Sequence, residues 1–132
     1  EKEASELSLS PGSVRFVDLP SDDEIAALYK NAALFIFPSR IEGFGIPPLE
    51  ALSYGTPVAA SESASLPEVL REGARYFDPD DIERLTQLMT DAVDTPHRFD
   101  DSIAAGQEQV ETFTWMKTAK QTLNVYNELS LL

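Results

Sequence analysis

The sequence predicts an α/β fold in which a parallel sheet is flanked by helices. Two short apolar runs, ALFIFP and PVAAS, have the continuous hydrophobicity of strands that are buried on both faces of a parallel sheet. A helical pattern lies between them, and further helical patterns precede and follow. This alternation is typical of βαβ units. With 132 residues, the chain has room for one domain at most.

The composition excludes several classes of protein. Ten Lys and Arg stand against 23 Asp and Glu, a net charge of −13, and so acidic a chain lacks the clustered cations that bind nucleic acid. Without Cys there is no disulfide scaffold, thiolate nucleophile or Cys-ligated metal, and the lone His97 has no companion at metal-ligand spacing, so we expect no metal site. No apolar run approaches the ~20 residues of a membrane span. A reducing compartment is compatible with the absence of Cys, and we expect a cytoplasmic location, with any contact to the inner face of the membrane made through the rest of a longer protein.

The chain is expected to begin with a linker, followed by a strand. Residues 1–13 combine Glu, Ser and a Pro-Gly pair without sustained periodicity, which indicates a linker. The domain is then expected over residues 14–132. Within it, the alternating apolar residues Val14, Phe16 and Leu19 predict a short first strand.

The first helix has a clear start signal. Ser21 lies three residues before Glu24, which is the spacing of a capping box, and two Asp residues between them add negative charge to the first turn. Ile25, Leu28 and Tyr29 recur at helical spacing and predict the apolar face of this helix.

The remaining elements follow in order along the chain. Pro47 and Pro48 suit the first turn of a helix between the two apolar runs, and Gly55 suits the position after its end. Beyond PVAAS we expect a short helix from Leu66 to Arg71 and an edge strand at ARYF. Two longer helices come last: one led by Pro79 with Ile82, Leu85, Leu88, Met89 and Val93 on one face, and a closing helix from Thr114 with the stripe Trp115, Ala119, Leu123 and Tyr126.

The stretch that carries chemistry is PSRIEGFGIPPLEALSYGTPV, from Pro38 to Val58. It places a loop with two glycines between a strand and a helix, where open α/β sheets bind ligands. Gly43 and Gly45 allow a tight turn, and the N–H groups at the helix start attract phosphate oxygens. Neither a G-x-G-x-x-G motif nor a P-loop lysine is present. The expected backbone donors are those of Phe44, Gly45, Ile46, Leu49 and Glu50.

Two carboxylates frame this loop, Glu42 before the glycines and Glu50 in the helix, eight positions apart. Ionised carboxylates accept strong hydrogen bonds, so they bind the vicinal hydroxyls of a sugar or a ribose well. Glycosidases also use paired carboxylates, but the Gly-x-Gly loop and the helix start fit a phosphate better. A pair at this spacing also fits a solvated loop residue and a helix-surface residue.

The pattern resembles the donor-binding signature of retaining glycosyltransferases with the GT-B architecture, glycosyltransferase family 4 in particular. The matching residues are PSRIEGFGIPPLEALSYGTPVAAS, SLPEV and YFDPDD, with VRFVDLPSDDEIAALYKNA upstream and FTWMKTAKQTLNVY downstream. The resemblance implies part of the Rossmann-like C-terminal domain of a GT-B fold, with its closing helix. Upstream of Val14 would lie the upstream half of the C-terminal domain, with a basic pair that neutralises the donor diphosphate. The acceptor-binding N-terminal domain would lie further upstream still.

The resemblance also implies a reaction. The donor substrate would be a GDP- or UDP-linked sugar, with no separate cofactor, and the transferred hexose, mannose among the candidates, would pass to a glycan or lipid-linked acceptor in polysaccharide biosynthesis. Glu42 would act in catalysis by contacting the transferred sugar, Glu50 would hold the ribose hydroxyls, and the backbone of residues 44–46 would receive the diphosphate. We expect transfer without a metal, and no activity from the isolated chain.

Three further residues are expected near the donor, Ser39 from its position in the chain and the other two from the resemblance. Ser39 follows the predicted strand at the start of the loop. Leu19 and Pro20 would lie near the nucleotide base, although Asp18 stands where the family often has Gly.

Two other functions stay open at this point. The chain would be a noncatalytic nucleotide-sugar-binding or scaffold module if it acts only with a partner. A phosphoacceptor receiver domain is suggested by the size and by the Asp22-Asp23 pair, but the strand before Pro38 ends in Pro-Ser instead of Asp.

Overall fold

The computed structural model of the chain describes residues 9–10 and 12–129, which form a three-stranded parallel sheet covered by helices. The strands, in their order across the sheet, are β1 Phe35–Phe37, β2 Val58–Ser61 and β3 Arg75–Phe77. The helices are α1 Asp22–Asn31, α2 Ile46–Ser53, α3 Leu66–Leu70, α4 Ile82–Asp94, α5 Asp100–Glu111 and α6 Trp115–Leu129, with 3-10 turns at Arg71–Gly73 and Pro96–Phe99. The predicted α/β class is confirmed.

The strands differ in burial according to their place in the sheet. β2 lies in the centre and all of its residues are buried, whereas β1 is half-buried because, within the described residues, it pairs only with β2. The prediction of a strand buried on both faces is thus right for PVAAS and wrong for ALFIFP. The register pairs Phe37 with Ala60 and Ser61 with Phe77, so the three strands end at one common edge.

Two apolar clusters lie on opposite faces of the sheet. Successive residues of a strand point to opposite faces, and Ala60 belongs to the first cluster whereas Ala59 belongs to the second. The first cluster unites β2 with α1, α2 and α3, and the second unites it with α4 and the Pro96–Phe99 turn. The helix that carries Glu50 and helix α4 therefore cover different faces.

The strand predicted from Val14, Phe16 and Leu19 is not formed. All three side chains are exposed, and Leu19 has a φ of +48°, a left-handed conformation that strands do not adopt. Alternating hydrophobicity makes a strand only where a neighbour takes up its backbone hydrogen bonds, and no described strand lies beside this segment. The linker predicted over residues 1–13 lies largely outside the described residues.

Helix α1 begins as its sequence predicts. The Ser21 N–H donates to Glu24 Oε2 at 2.9 Å and the Glu24 N–H donates to Ser21 Oγ at 3.4 Å, which closes the capping box and lowers the pKa of Glu24. Its buried face is narrower than expected, because Tyr29 is buried and Ile25 half-buried but Leu28 is 53% exposed.

Helix α4 begins later than the position of Pro79 suggests. The Asp81 side chain accepts a hydrogen bond from the Arg84 N–H at 2.8 Å and caps a helix that starts at Ile82, so Pro79 precedes the helix. Of the predicted apolar face, Leu88 is buried whereas Ile82, at 75% exposure, lies outside the core. The helix contacts the sheet through its middle.

Helix α5 packs closely against the rest of the domain through Gly106. A Cβ atom at Gly106 would lie 2.5 Å from Leu52 Cδ2, and one at Gly73 would lie 2.7 Å from Gly106 Cα. The buried Gln109 adds a polar link, since its Nε2 donates to the carbonyl of Val69 at 2.8 Å. Two glycines thus allow α5 to approach α2 and the Arg71–Gly73 turn.

Helix α6 is formed as predicted, but its apolar stripe is exposed. No residue of α6 is buried, and Trp115 is 90% exposed. The stripe is therefore not buried against the rest of the domain that the structure describes. None of the helices in residues 9–10 and 12–129 is both long enough and apolar enough to cross a bilayer.

Candidate functional site

The predicted donor loop, residues 38–45, connects β1 to α2 at the edge where all three strands end. Its main chain is held by two serines, one at the end of the central strand and one in the loop after it. The Ser65 hydroxyl donates to the carbonyl of Glu42 at 3.0 Å, and the Ser61 hydroxyl donates to the carbonyl of Ser39. The donor loop is therefore held in place by the end of β2 and by the loop after it.

An ion pair links the donor loop to the loop after β3. The guanidinium of Arg40 pairs with both carboxylate oxygens of Asp80, with 2.9 Å between Nη1 and Oδ2 and a second contact between Nη2 and Oδ1. Hydrogen bonds and charge from Arg40 hold the pKa of Asp80 below its ordinary value, although both side chains are exposed. Because β2 lies between β1 and β3, this ion pair crosses the end of β2. It also pairs Arg40, which is the only Lys or Arg of the donor loop.

The two glycines of the loop do different work. Gly45 has a φ of +96° and stands at the N-cap of α2, and a Cβ atom there would lie 2.6 Å from Cδ2 of the buried Leu66. Gly43 has no heavy atom within 4 Å of the position that a Cβ would take. Gly45 is thus required by backbone and packing, whereas Gly43 borders open space where a ligand has room.

The start of α2 presents unpaired backbone donors. Among the described residues, no group accepts a hydrogen bond from the N–H groups of Phe44, Gly45 or Ile46. The next two helical residues are prolines, which have no N–H. Leu49 and Glu50 lie one turn inside the helix, where N–H groups point to carbonyls four residues earlier. The geometry therefore favours residues 44–46 as anion donors.

Glu42 and Glu50 have different surroundings. Glu42 is half-buried, and no described residue donates a hydrogen bond to its carboxylate. Glu50 is exposed, and its Oε2 accepts a hydrogen bond of 3.2 Å from the hydroxyl of Tyr29 on α1. Burial, and then the charge and hydrogen bond of Glu50, raise the pKa of Tyr29 from 10.0 to about 12.

Glu50 borders a groove on each side of α2. A groove of about 290 Å³ lies between α1 and α2 and has Asp22, Glu50 and Ser53 in its lining. A second groove, of about 250 Å³, includes Glu50 together with Ile46 and Phe113. The Glu50 carboxylate is thus accessible from both sides of its helix.

An aromatic contact involves Phe113, which lines the second groove. The rings of Phe44 and Phe113 meet edge to face with their centroids 5.3 Å apart. Phe113 lies between α5 and α6, so this contact connects the donor loop with the closing segment of the chain.

The other predicted site residues lie at the margins. Ser39 is half-buried, and its hydroxyl donates to the carbonyl of Ile41 at 3.2 Å, which shapes the turn after β1. Leu19 is 91% exposed and Pro20 half-buried, directly before the cap of α1. Because Asp22 lines the groove beside Glu50, the start of α1 lies near this groove.

Four residues of the site escaped the sequence reading. Ser61 ends β2, Ser65 follows it and Asp80 follows β3, and the rule that parallel strands end at one edge could have indicated them. The sequence indicated Tyr29 only as part of the apolar face of α1, and no sequence signal connects it with Glu50. In the part of the chain that the structure describes, no three His, Asp or Glu side chains are grouped as a metal site.

Comparisons with known proteins show the family of the chain. The family model for glycosyl transferases group 1 matches residues 1–109. The chain is 34% identical over 118 residues to an O-antigen chain mannosyltransferase B of Escherichia coli, covering 89% of this chain and 31% of that protein. It is 38% identical over 112 residues to an MMP alpha-(1->4)-mannosyltransferase of Mycolicibacterium hassiacum, covering 82% of this chain and 27% of that protein.

A solved structure extends the likeness to three dimensions. The fold is similar to that of a sucrose-phosphate synthase from Thermosynechococcus elongatus, with a TM-score of 0.84 and 27% sequence identity over 98% of this chain and 33% of that one. The chain thus spans about a third or less of the relatives that it matches. The family resemblance found in the residues around Glu42 and Glu50 is confirmed, and the chain belongs to the glycosyl transferases group 1 family.

Proposed function

We propose that this chain is the donor-binding part of a retaining glycosyltransferase that transfers a hexose from a nucleotide sugar to a glycan or lipid-linked acceptor. The observation that carries the proposal is the donor loop itself: Glu42 and Glu50 flank a helix start whose N–H groups are unpaired. Mannose is the first candidate for the hexose, because two relatives are named mannosyltransferases.

The diphosphate of the donor would bind at the start of α2. The N–H groups of Phe44, Gly45 and Ile46 are available there, and the positive end of the helix favours an anion. The open space beside Gly43 gives the phosphate oxygens access to the backbone. In transfer, the leaving diphosphate takes the electron pair of its bond to the anomeric carbon, so donors fixed before the reaction stabilise the charge that develops.

The two carboxylates would hold the two ends of the donor. Glu42 would orient the sugar and stabilise positive charge near its anomeric carbon. Its carboxylate is available for this role, because no described residue donates a hydrogen bond to it. Glu50 accepts hydrogen bonds from the ribose hydroxyls, since its carboxylate borders open grooves. The acceptor hydroxyl forms the new bond to the anomeric carbon and gives its proton to an oxygen of the leaving diphosphate.

The remaining partners would come from a longer protein. The chain spans about a third or less of its relatives, so we assign the acceptor-binding N-terminal domain and the upstream half of this domain to the rest of that protein. The basic pair for the diphosphate would also lie there, since Arg40 is paired with Asp80. Any contact with the inner face of a cytoplasmic membrane would be made by those parts.

The test is transfer by the full-length protein. We measure the transfer of hexose from GDP-mannose and from UDP-glucose to a lipid-extract acceptor. The binding of GDP and UDP is measured by calorimetry. We expect Glu42→Ala to lose at least about a hundredfold in turnover while retaining nucleotide binding. Glu83→Ala is the matched control, because Glu83 lies on α4, which packs on the other face of the sheet.

Each outcome decides between readings. Full turnover in Glu42→Ala would refute the catalytic role of Glu42. Binding of GDP or UDP without any transfer by the wild-type protein would favour the noncatalytic binding module. If neither nucleotide binds, donor binding at this loop is refuted.

A further inference from the structure

The hydrogen bond between Tyr29 and Glu50 joins two helices across 21 residues of sequence. Tyr29 lies on α1 and is 9% exposed, whereas Glu50 lies on α2 and is exposed. The hydroxyl of a buried residue therefore reaches the exposed carboxylate that borders both grooves. Packing alone would be satisfied by a phenylalanine ring at this position, so the hydroxyl calls for a separate explanation.

The ring of Tyr29 is held in place by its neighbours. It meets Phe35 edge to face with ring centroids 5.3 Å apart, and it stacks on Tyr54 at 5.9 Å. The main chain is fixed as well, because the hydroxyl of the buried Thr56 donates to the Tyr29 carbonyl at 2.7 Å. The phenolic oxygen is thus a fixed point to which the exposed Glu50 carboxylate is hydrogen-bonded.

The hydrogen bond occupies only part of the carboxylate. A carboxylate offers about four acceptor sites on its two oxygens, and the Tyr29 hydroxyl uses one site on Oε2. No other described residue donates a hydrogen bond to this carboxylate, so its other oxygen and remaining lone pairs can accept two hydroxyls of a diol. Because burial and Glu50 keep the phenol protonated far above neutral pH, with a raised pKa, the donor proton is always present.

We propose that Tyr29 is a positioning residue for donor binding, whose hydroxyl holds the Glu50 carboxylate in the orientation that accepts both ribose hydroxyls of the nucleotide. This inference rests on the proposed function of Glu50. Without the hydroxyl, Glu50 samples other rotamers, and ordering it again on binding costs affinity.

The test uses the full-length protein and the substitution Tyr29→Phe, which removes the hydroxyl and keeps the ring. Dissociation constants are measured by calorimetry for GDP and UDP and for their 2′,3′-dideoxy analogues. We expect Tyr29→Phe to weaken binding of the nucleotide about three- to tenfold. For the dideoxy analogue the variant and the wild type should bind equally, because the analogue has no diol for Glu50.

A matched control and a second variant complete the experiment. Tyr76→Phe removes another hydroxyl that donates within the domain, to the carbonyl of Arg71 at 2.7 Å, and should leave both affinities unchanged. In a Glu50→Gln background, Tyr29→Phe should have less effect than in the wild type, because the oriented carboxylate is already gone.

The outcomes separate the two proposals. If the wild type binds neither GDP nor UDP, the proposed function fails and this inference fails with it. If the wild type binds but Tyr29→Phe binds equally well, or loses the nucleotide and its dideoxy analogue to the same extent, only the positioning role is overturned. Should Tyr29→Phe fail to fold, equal losses for Glu50→Gln with both ligands would overturn it instead, since Glu50 would then not read the diol.

Discussion

A Cβ atom at Gly45 would lie 2.6 Å from Leu66 Cδ2, and Leu66 is fully buried. This contact joins the start of α2 to α3 at a residue whose φ is +96°. Gly45→Ala therefore adds left-handed backbone strain to an overpacked core, and we expect it to lower the free energy of unfolding by about 2–4 kcal/mol. Urea unfolding followed by circular dichroism measures the change.

The matched control for this substitution lies two residues earlier. Gly43 borders open space and its φ is not left-handed, so Gly43→Ala should leave stability unchanged or raise it by up to about 1 kcal/mol, because the unfolded chain loses entropy. Equal destabilisation by the two substitutions would contradict the assignment of the strain to Gly45.

A second glycine sets the distance between α5 and α2. In Gly106→Ala the new methyl group would lie 2.5 Å from Leu52 Cδ2 and 3.2 Å from Leu52 Cγ, in a fully buried position. The cost of overpacking, about 1–3 kcal/mol, exceeds the gain of about 1 kcal/mol in helix propensity, so we expect net destabilisation. Glu108→Ala, on the exposed face of the same helix, should be nearly neutral in the same chemical unfolding experiment. A more stable Gly106→Ala would mean that α5 can move away from Leu52.

The sequence predicted those elements whose signals are local. PVAAS forms the buried central strand because its run is apolar and bounded by turn residues, and α2 has its prolines at the start and a left-handed Gly55 after its end. Val14 and Phe16 misled because a strand also needs a neighbouring strand, which the pattern of one segment does not contain.

The candidate site divides in the same way. The donor loop around Glu42 and Gly45 was visible from its motif, since glycines and a helix start are consecutive in the chain. The residues that hydrogen-bond to the site could not be predicted, because they are distant in sequence. Ser65 is 23 residues from Glu42, and Tyr29 is 21 residues from Glu50. Such contacts depend on how the helices pack on the sheet, and single-chain periodicity does not specify that geometry.

The ion pair of Arg40 and Asp80 predicts an effect of acid on the donor loop. Arg40 lowers the pKa of Asp80, so the contribution of this pair to stability is complete above the ordinary pKa of 3.8 and is lost as the pH falls through the lowered value. We expect Arg40→Gln to raise the pKa of Asp80, as measured by carboxyl chemical shifts. Because both side chains are exposed, high salt should weaken the effect.

The control for this titration is another arginine that is paired elsewhere. Arg98 contacts Asp91 at 2.9 Å, and Arg98→Gln should leave the titration of Asp80 unchanged. An Asp80 pKa that does not respond to Arg40→Gln would show that the pair does not persist in solution.

The buried phenol of Tyr29 predicts a loss of stability in alkali. Its pKa is raised from 10.0 to about 12, so folding favours the neutral form, and the associated stability is complete below pH 10 and is lost as the pH rises through about 12. Tyr76 has a similarly raised pKa of about 12, caused mainly by burial. Both phenols should therefore ionise near pH 12 in a titration followed by tyrosinate absorbance. We expect Tyr29→Phe to remove the part of this absorbance change that comes from Tyr29 and to leave the part that comes from Tyr76.

The same titration separates the causes of the shift at Tyr29. Burial is the largest cause and the charge of Glu50 comes second. Glu50→Gln should therefore lower the pKa of Tyr29 below about 12 without returning it to 10, because the ring stays in the core. Glu108→Gln changes the net charge by the same amount and should leave the pKa of Tyr29 unchanged. If Glu50→Gln does not move the Tyr29 titration, the hydrogen bond between the two side chains does not hold Glu50 in solution.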